Sequence, residues 1–579
     1  MSEQLAKQLL AAVERQEAVV RATIAAEPSG MMFLTALKVF DLVWMKKLEL
    51  AGSGTDGHLL RMGLPLLIRA HYGTGHRTDY EGLIFQPTDT MIWAAVGMLH
   101  HLGSLETARQ FAHLVFAGDC QIEVDESGVY RLSTAENFTW ADAAETFLVE
   151  RQNAVYRQDL SRLLSETEAF RDSVAELPSL LEANVRLFHE HYIAYDAHPK
   201  IDDAHFAVAM GRLQATFQLN AIHPSASFGG VQFRTFVLGL AHVIAVATKH
   251  VSFCEALQRA HPEVRTVDIL TITAEGTEFR DAMLRAVNEY GEPDPDFEGA
   301  TPADVDVVLQ VLSCDWERTD MLRDTMAPVP PLVAFSRRSW IKSCMLPQLD
   351  PIAALLTSLR VQFPKDWDRA QQKRERYAQD RLTGMLRALN PAILVRSNTV
   401  LRKGRRHLTD VDLTAFDPRD GTLLLFQLKY QDHYAGNMKA RTNRVQRLIR
   451  QAENWSRTVS DWLNDADAAN LRDTFGLPIR IKRQQVSLAV ICERFAHHLY
   501  QVDLRGASYG SWPHLIEAFA REKRYGTGSL AGFRLWLDRV VDNVIVPQDA
   551  MTSEARRYDL GDLSFEISVR SGEASPTSL

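Results

Sequence analysis

The chain reads as a multidomain protein: a mostly α-helical N-terminal region followed by a C-terminal α/β domain. Three observations carry that expectation. At 579 residues the chain is long enough for roughly two to four domains, each with its own core. Residues 1–330 are dominated by apolar positions at helical spacing, whereas short apolar and β-branched runs separated by turn signals gather after residue 390. Charge divides the chain in a similar way. Residues 365–457 hold 20 Lys and Arg against 10 Asp and Glu, a local +10; the whole chain is −9, so the remainder carries −19.

The helical region spans residues 1–330. Ser2–Ala26 places Leu5, Leu9, Val13, Val20 and Ile24 on one broad face, suited to another helix or to a second copy of the chain. A homo-oligomer formed through this region is therefore one expected partner state. Further helices are predicted over 33–50, 88–117, 139–175, 178–195, 204–220 and 232–260, with a β-hairpin over Gln121–Leu132 turning at Ser127-Gly128. Glu292–Pro302 is acidic and Pro-rich, which predicts a loop. The longest apolar stretch, Phe236–Thr248, contains His242 and falls short of the ~20 residues a bilayer crossing needs, so it reads as a buried helix and no membrane partner is expected. His189-Glu190-His191 lacks the four-residue spacing of a helical zinc motif, and Gly229-Gly230 lacks the lysine of a phosphate loop. Cys120, Cys254, Cys314, Cys344 and Cys492 are scattered without a CxxC pair, so neither a zinc ribbon nor a disulfide framework is suggested. With no secretory leader at the start, a cytoplasmic location is expected.

Residues 331–364 form a connector, opened by the break at Pro328–Pro331 and helical over Pro351–Leu359. The α/β domain is assigned to 365–545. Its first element, 366–389, is a helix with Ala378, Leu382, Met385, Leu386 and Leu389 in one stripe. Glu375 falls on the edge of that stripe, Asp380 projects from the opposite side, and Asn390-Pro391 ends the helix. Ile393–Val395 and Thr399–Leu401 make the first strand, joined to the second through a basic turn containing Arg405 and Arg406. After the central hairpin comes a helix from about Asn437 to Trp462, with Arg441, Arg444, Arg447 and Arg450 at every third position and Lys439 beside them. Val486–Cys492 is a buried strand, and helices follow over 511–522 and 532–545. Residues 546–579 are a C-terminal extension, disordered from about Ser571 onward.

The hairpin at 411–430 carries the chemistry. Val411–Asp417 and Thr422–Tyr430 flank Pro418-Arg419-Asp420-Gly421, a turn in which Pro presets φ and Asp-Gly tolerates positive φ. Pairing Asp417 with Thr422 sets Asp412 opposite Gln427, with Lys429 two residues further along the same face. A carboxylate, an amide and an ammonium then converge on an otherwise apolar strand pair, where they are costly to bury unless something is bound between them. A divalent metal ion meets that need.

This arrangement resembles the PD-(D/E)xK phosphodiesterase superfamily, which has the restriction-endonuclease-like fold. Asp412 matches the first Asp of the motif and Lys429 its Lys, while Gln427 stands where an acidic residue is usual, as in Mrr-like branches. The likeness spans about residues 365–500, under a third of the chain. It implies a Mg²⁺- or Mn²⁺-dependent nuclease acting on nucleic acid, with DNA the substrate the family favours and restriction or defence against foreign DNA the setting. Asp412, Gln427, Lys429 and Glu375 are the implied catalytic residues, with Asp412, Gln427 and Glu375 as metal ligands and Asp410 behind them. The basic zone supplies the nucleic-acid contacts through Arg405, Arg406, Lys439, Arg441 and Arg444, since neutralised phosphates drive most non-specific binding. Two other readings stay open. One is a nuclease fold that binds nucleic acid without cleaving it, a consequence of Gln427. The other is a helical partner-binding or sensing module with the nuclease as its output.

Overall fold

The structure is a computed structural model that describes residues 2–134 and 168–572, apart from positions 28, 47, 49–54, 76–84, 197, 215–221, 320–321, 323–327, 338, 431–437, 494–495, 501 and 544–550. The N-terminal part opens with α1 (Ser2–Ala25), α2 (Met31–Trp44), α3 (Thr55–Gly73) and α4 (Asp89–Ala117). Leu9 and Val13 of α1 pack into the same core as Phe33, Leu37 and Phe40 of α2 and Leu99 and Leu102 of α4. The helices α3 and α4 touch backbone to backbone at Gly63 and Gly103. A Cβ on Gly103 would lie 1.9 Å from the Leu59 carbonyl oxygen, so only glycine permits this crossing.

A second helical group follows: α5 (Glu168–Asn184), α6 (Pro199–Gln214), α7 (Phe233–Ala260), the single turn α8 (Thr266–Ile269), α9 (Gly276–Gly291) and α10 (Pro302–Leu312). The helix α7 is long and apolar enough to cross a bilayer, and 67% of its most apolar window is buried inside this fold. One feature departs from the helical expectation. The helix predicted over 178–195 stops at Asn184, because Val185–Phe188 (β3) and Tyr192–Tyr195 (β4) pair as an antiparallel hairpin. His189 and Glu190 turn it at φ 46° and 63°, and the β-branched and aromatic residues on either side favour strand. Most of the helix predicted over 139–175 lies outside the described residues.

The first hairpin, β1 (Cys120–Val124) with β2 (Tyr130–Thr134), forms where predicted. Gly229-Gly230 is the turn between two-residue strands, β5 (Ser227–Phe228) and β6 (Val231–Gln232). Residues 331–364 are not helical throughout. They begin with β9 (Leu332–Ala334) and β10 (Ser339–Lys342), which join β7 (Ile272–Glu275) and β8 (Ser313–Cys314) in a sheet of order β7-β10-β9-β8. The helix α11 (Pro351–Gln362) then leads into the α/β part.

The α/β part is a five-stranded sheet of order β11-β12-β13-β14-β15, with strands Leu394–Lys403, Arg406–Asp417, Thr422–Lys429, Val486–Cys492 and Ser508–Ser511. The first three strands are antiparallel and the last two join in parallel. On one face α13 (Met438–Asp465) and α14 (Ala468–Phe475) bury Leu448, Trp455, Val459 and Leu471 against Val411, Leu423, Leu425 and Val490. On the other, α12 (Pro364–Leu389), α15 (Trp512–Tyr525) and α16 (Leu530–Asn543) bury Leu382, Leu386, Leu515 and Phe533 against Leu413, Leu424, Phe426 and Ile491. The predicted stripe on α12 is thus the face turned to the sheet.

The C-terminal extension folds back rather than trailing away. Met551–Leu560 (β16) and Leu563–Gly572 (β17) form a hairpin, and β17 pairs in parallel with β2, giving a sheet of order β1-β2-β17-β16. The disordered tail predicted from Ser571 overlaps β17 at its first two positions, and residues 573–579 lie outside the described residues. Phe565 is fully buried, stacked on Tyr558 at 4.7 Å. Phe565→Ala should cost about 3–5 kcal/mol, concentrated in the N-terminal part. Hydrogen exchange should show β1 and β2 losing protection while β13 and β14 keep theirs; equal loss in both sheets would contradict this division.

Candidate active site

The site begins at the hairpin tip. Asp417 is buried at the end of β12 and accepts from Arg419 three times: from its backbone N at 3.1 Å, Nε at 3.0 Å and Nη2 at 2.7 Å. Burial works against the Asp417 charge, and these donors overcome it, holding the carboxyl below the usual range. Arg419 also donates to the carbonyls of Thr527 and Gly528 in the turn before α16. Gly421, at φ 74°, closes the turn through its N–H to the Asp417 carbonyl. The tip is fixed on both sides, and so is the register: Asp417 opposes Thr422 and Leu413 opposes Phe426.

Beyond Leu413 and Phe426 the pairing of β12 with β13 ends, while β12 continues against β11. Asp412 sits where the two strands part. One of its oxygens, Oδ2, accepts from the Leu428 backbone N at 2.6 Å and from Gln427 Nε2. The carboxylate therefore takes over a ladder hydrogen bond that the separated strands no longer make. Burial raises the Asp412 carboxyl to about 6, against the Leu428 N–H and the Lys429 charge, with Glu375 adding to the rise. Lys429 is pulled below the ordinary lysine range by burial, partly offset by Asp412, Cys492 and Glu375, while Arg447 on α13 pushes it further down. The carboxylate of Glu375, exposed on α12, is thus felt by both central groups. Asp412, Gln427 and Lys429 come to one place, and Glu375 lies near enough for its charge to act on Asp412 and Lys429.

The other expected residues divide. Arg405 and Arg406 are exposed at the β11–β12 turn, and Lys439 is exposed near the start of α13. Arg444 is half-buried. Arg441 does not face open solvent. It is 5% exposed and lies 3.6 Å from Asp119, at the junction of α13 with the end of α4, where Met438 N also donates to Gln110. Its charge serves the contact between the two parts of the chain rather than a free basic surface.

Asp410 is likewise turned away. Its side chain is 56% exposed and pairs with His407 Nε2 at 2.9 Å. The expected alternation fails because the strand twists at this point. Val411 packs toward α13 and Leu413 toward α12, two residues apart yet on opposite faces. Asn398, between the partners of Val411 and Leu413 on β11, has φ 56° and pairs with Gln379 of α12. The twist that separates Asp410 from Asp412 is the one that opens the gap Asp412 fills.

Several neighbours escaped the sequence reading. Arg374 of α12 is buried and lies over the Tyr430 ring at 4.8 Å, and Arg381 lies over Trp512 at 4.1 Å. Glu493, buried just past β14, donates its backbone N–H to the Lys429 carbonyl at 2.8 Å, and its carboxylate is 3.9 Å from Arg381. Nothing local in 366–389 marked Arg374 as a stacking residue.

Among the described residues no three His, Cys, Asp or Glu side chains are grouped as metal ligands. The donor set is two carboxylates and an amide. Mg²⁺ is commonly held by one or two carboxylates with water and substrate phosphate completing its shell, so Asp412 and Glu375, with the Gln427 oxygen, fit it. Comparison of the chain with family models, curated proteins and solved structures finds no match.

A stability test follows from Asp412. Its folded pKa is raised from 3.8 to about 6, so the fold binds a proton there more tightly than the unfolded chain does. Stability from the protonated form is complete below pH ~4 and is lost as pH rises through ~6. Asp412→Asn removes that loss and should stabilise the chelator-treated protein by on the order of 1–3 kcal/mol at pH 7.5, and hardly at all at pH 4. Urea titrations at both pH values check this, and an equal effect at both would show that the carboxyl is not held protonated by the fold.

Proposed function

We propose that this chain hydrolyses phosphodiester bonds in nucleic acid, DNA in the first instance, with Mg²⁺ or Mn²⁺ as cofactor. The observation that supports the reading most directly is the meeting of Asp412, Gln427 and Lys429 at the parted ends of β12 and β13, within reach of the Glu375 charge. Polar groups gathered at a break in a sheet, one of them a carboxylate that burial disfavours, are better explained by a bound cation than by stability. A bound divalent ion supplies Lewis acidity and lowers the pKa of water.

The chain's own groups would do the rest. Asp412 and Glu375 hold the negative charge that the ion needs, and Leu428 N–H fixes the Asp412 rotamer. Gln427 contributes an oxygen if its amide turns from the orientation in which Nε2 donates to Asp412; that O/N assignment follows the hydrogen-bond network. Lys429, partly desolvated between the carboxylates and Arg447, would orient the attacking water and stabilise charge building on the phosphoryl oxygens. Arg405, Arg406 and Lys439 are exposed cations available to the phosphate backbone. The reading in which the fold binds without cleaving is favoured by one observation: the Gln427 amide already satisfies Asp412 and lends the site no charge.

Cleavage assays separate the two. Asp412→Ala and Lys429→Ala should each lower metal-dependent cleavage on the order of 10²–10³-fold without loss of folding, and Glu375→Ala should cost more than Asp380→Ala. Wild-type activity in Asp412→Ala would end the proposal. Gln427→Glu should tighten Mn²⁺ binding, and binding should weaken as pH falls through about 6, where Asp412 takes up its proton. Reversing Arg405 and Arg406 to Glu should flatten the salt dependence of DNA binding by about one log–log unit for each phosphate no longer neutralised; an unchanged slope would place the DNA elsewhere.

A further inference from the structure

The helical part contains a cavity apart from the strand gap. A cavity of about 430 Å³ lies between α6, α7, α9, β7 and β10, within the ~300–1,000 Å³ typical of small-molecule pockets. One wall is aromatic: Phe206 and Tyr290 stack at 3.7 Å, and Phe279 faces His242 at 5.5 Å. The opposite character comes from Lys342 on β10. No hydrogen bond or ion pair among the described residues reaches its ammonium, and burial brings its pKa down to about 8 with Lys249 adding to the shift. His242 is 9% exposed, and its Nε2 has no hydrogen-bond partner among the described residues. Burial, followed by the charges of Lys249, Lys342 and Arg285, takes its pKa to about 3.

The acidic residues around the cavity answer this charge only in part, through the exposed Glu278, the smallest of the influences on Lys342. Asp202 is paired with Lys249, and Glu275 caps α9 by accepting from Glu278 N at 2.8 Å. Glu278 and Glu289 are exposed at the rim. A half-buried ammonium with no hydrogen-bonded or ion-paired partner among the described residues is costly to the fold, and an anion entering from solvent would remove that cost.

We propose that this cavity binds a small anionic molecule bearing a flat ring, its carboxylate or phosphate against Lys342 and its ring against the Phe206–Tyr290 and Phe279 wall. Neutral His242 would then give the anion a further N–H donor. The site is one for a metabolite or nucleotide-like ligand, separate from the phosphodiester chemistry.

Isothermal titration of the full chain in EDTA, which silences any metal-dependent phosphate binding, tests this with AMP, adenosine and inorganic phosphate as probes. AMP carries both ring and anion, whereas each of the others carries one. AMP should bind one-to-one and at least tenfold more tightly than either. Lys342→Met should weaken AMP at least tenfold and, without ligand, raise the unfolding midpoint, because it removes a half-buried, unpaired charge while keeping the volume. Lys342→Gln gives the same comparison should the Met variant aggregate. AMP binding no tighter than adenosine, or unaltered in the Lys342 variants, would overturn the proposal, as would a fall in the unligated midpoint of both variants. Asp412→Ala should leave AMP binding as it is, whatever becomes of the cleavage reading.

Discussion

The grip of Arg419 on the buried carboxylate of Asp417 is the constraint on which the candidate site depends. A β-hairpin slipped by one residue turns every side chain to the other face, so the position of Asp412 against Gln427 is decided at the tip, five residues away. The guanidinium does this twice over, holding Asp417 on one side and the carbonyls of Thr527 and Gly528 on the other. The turn before α16 therefore belongs to the same device as the hairpin, and the helices on that face of the sheet are positioned by the element that sets the register.

With register settled, the sheet can tolerate a break. The strands β12 and β13 stop pairing at the one place where a side chain can replace the missing backbone partner, and Asp412 does so through Leu428. The fold uses a similar device in its helical part. Asp41 of α2 is fully buried and accepts from Ser343 Oγ at 2.5 Å, Thr271 Oγ1 at 2.7 Å and the backbone N–H groups of Cys344 and Met345 at 3.0 and 3.1 Å. Nearby, Lys38 donates to the Val267 and Thr271 carbonyls. The difference lies in completeness. Asp41 has four donors and joins segments some 300 residues apart, so it acts as a structural clasp. Asp412 has two donors, both from one strand, with an exposed glutamate and a half-buried lysine beside it, and this leaves it able to exchange partners.

What could be read from the sequence follows the reach of each interaction. The β12–β13 register came from Pro418–Gly421 and two apolar runs, all within twenty residues, and the α12 face from its own periodicity. Helices 89–117, 233–260 and 364–389 likewise carry their boundaries locally, in Thr88 and Gly118 for the first and in Asn390-Pro391 for the last. Most of the failures are non-local. Arg441 sits in a basic stripe and looks solvent-facing until Asp119, more than 300 residues earlier, is brought beside it. Asp410 parts from Asp412 because of a left-handed residue on the neighbouring strand. The strands β16 and β17 have hairpin character of their own, yet their partner β2 lies over 400 residues away. The isolated ammonium of Lys342 is invisible for the same reason, since nothing in Ser-Trp-Ile-Lys tells which helices will close over it.

The return of β17 to β2 has a consequence for synthesis. In the four-stranded sheet β17 is an inner strand, lying between β2 and β16, so the β1–β2 hairpin has no neighbour on that side until residues 563–572 leave the ribosome. At about 5–20 residues per second, the intervening chain, including the whole α/β part, takes on the order of twenty seconds to a minute and a half to appear. During that interval β2 presents an unpaired edge, an invitation to wrong partners, and Arg131 is the one charged residue that strand carries. A nascent chain of this protein thus completes its C-terminal five-stranded sheet before it can close the small sheet that belongs to its N-terminal part.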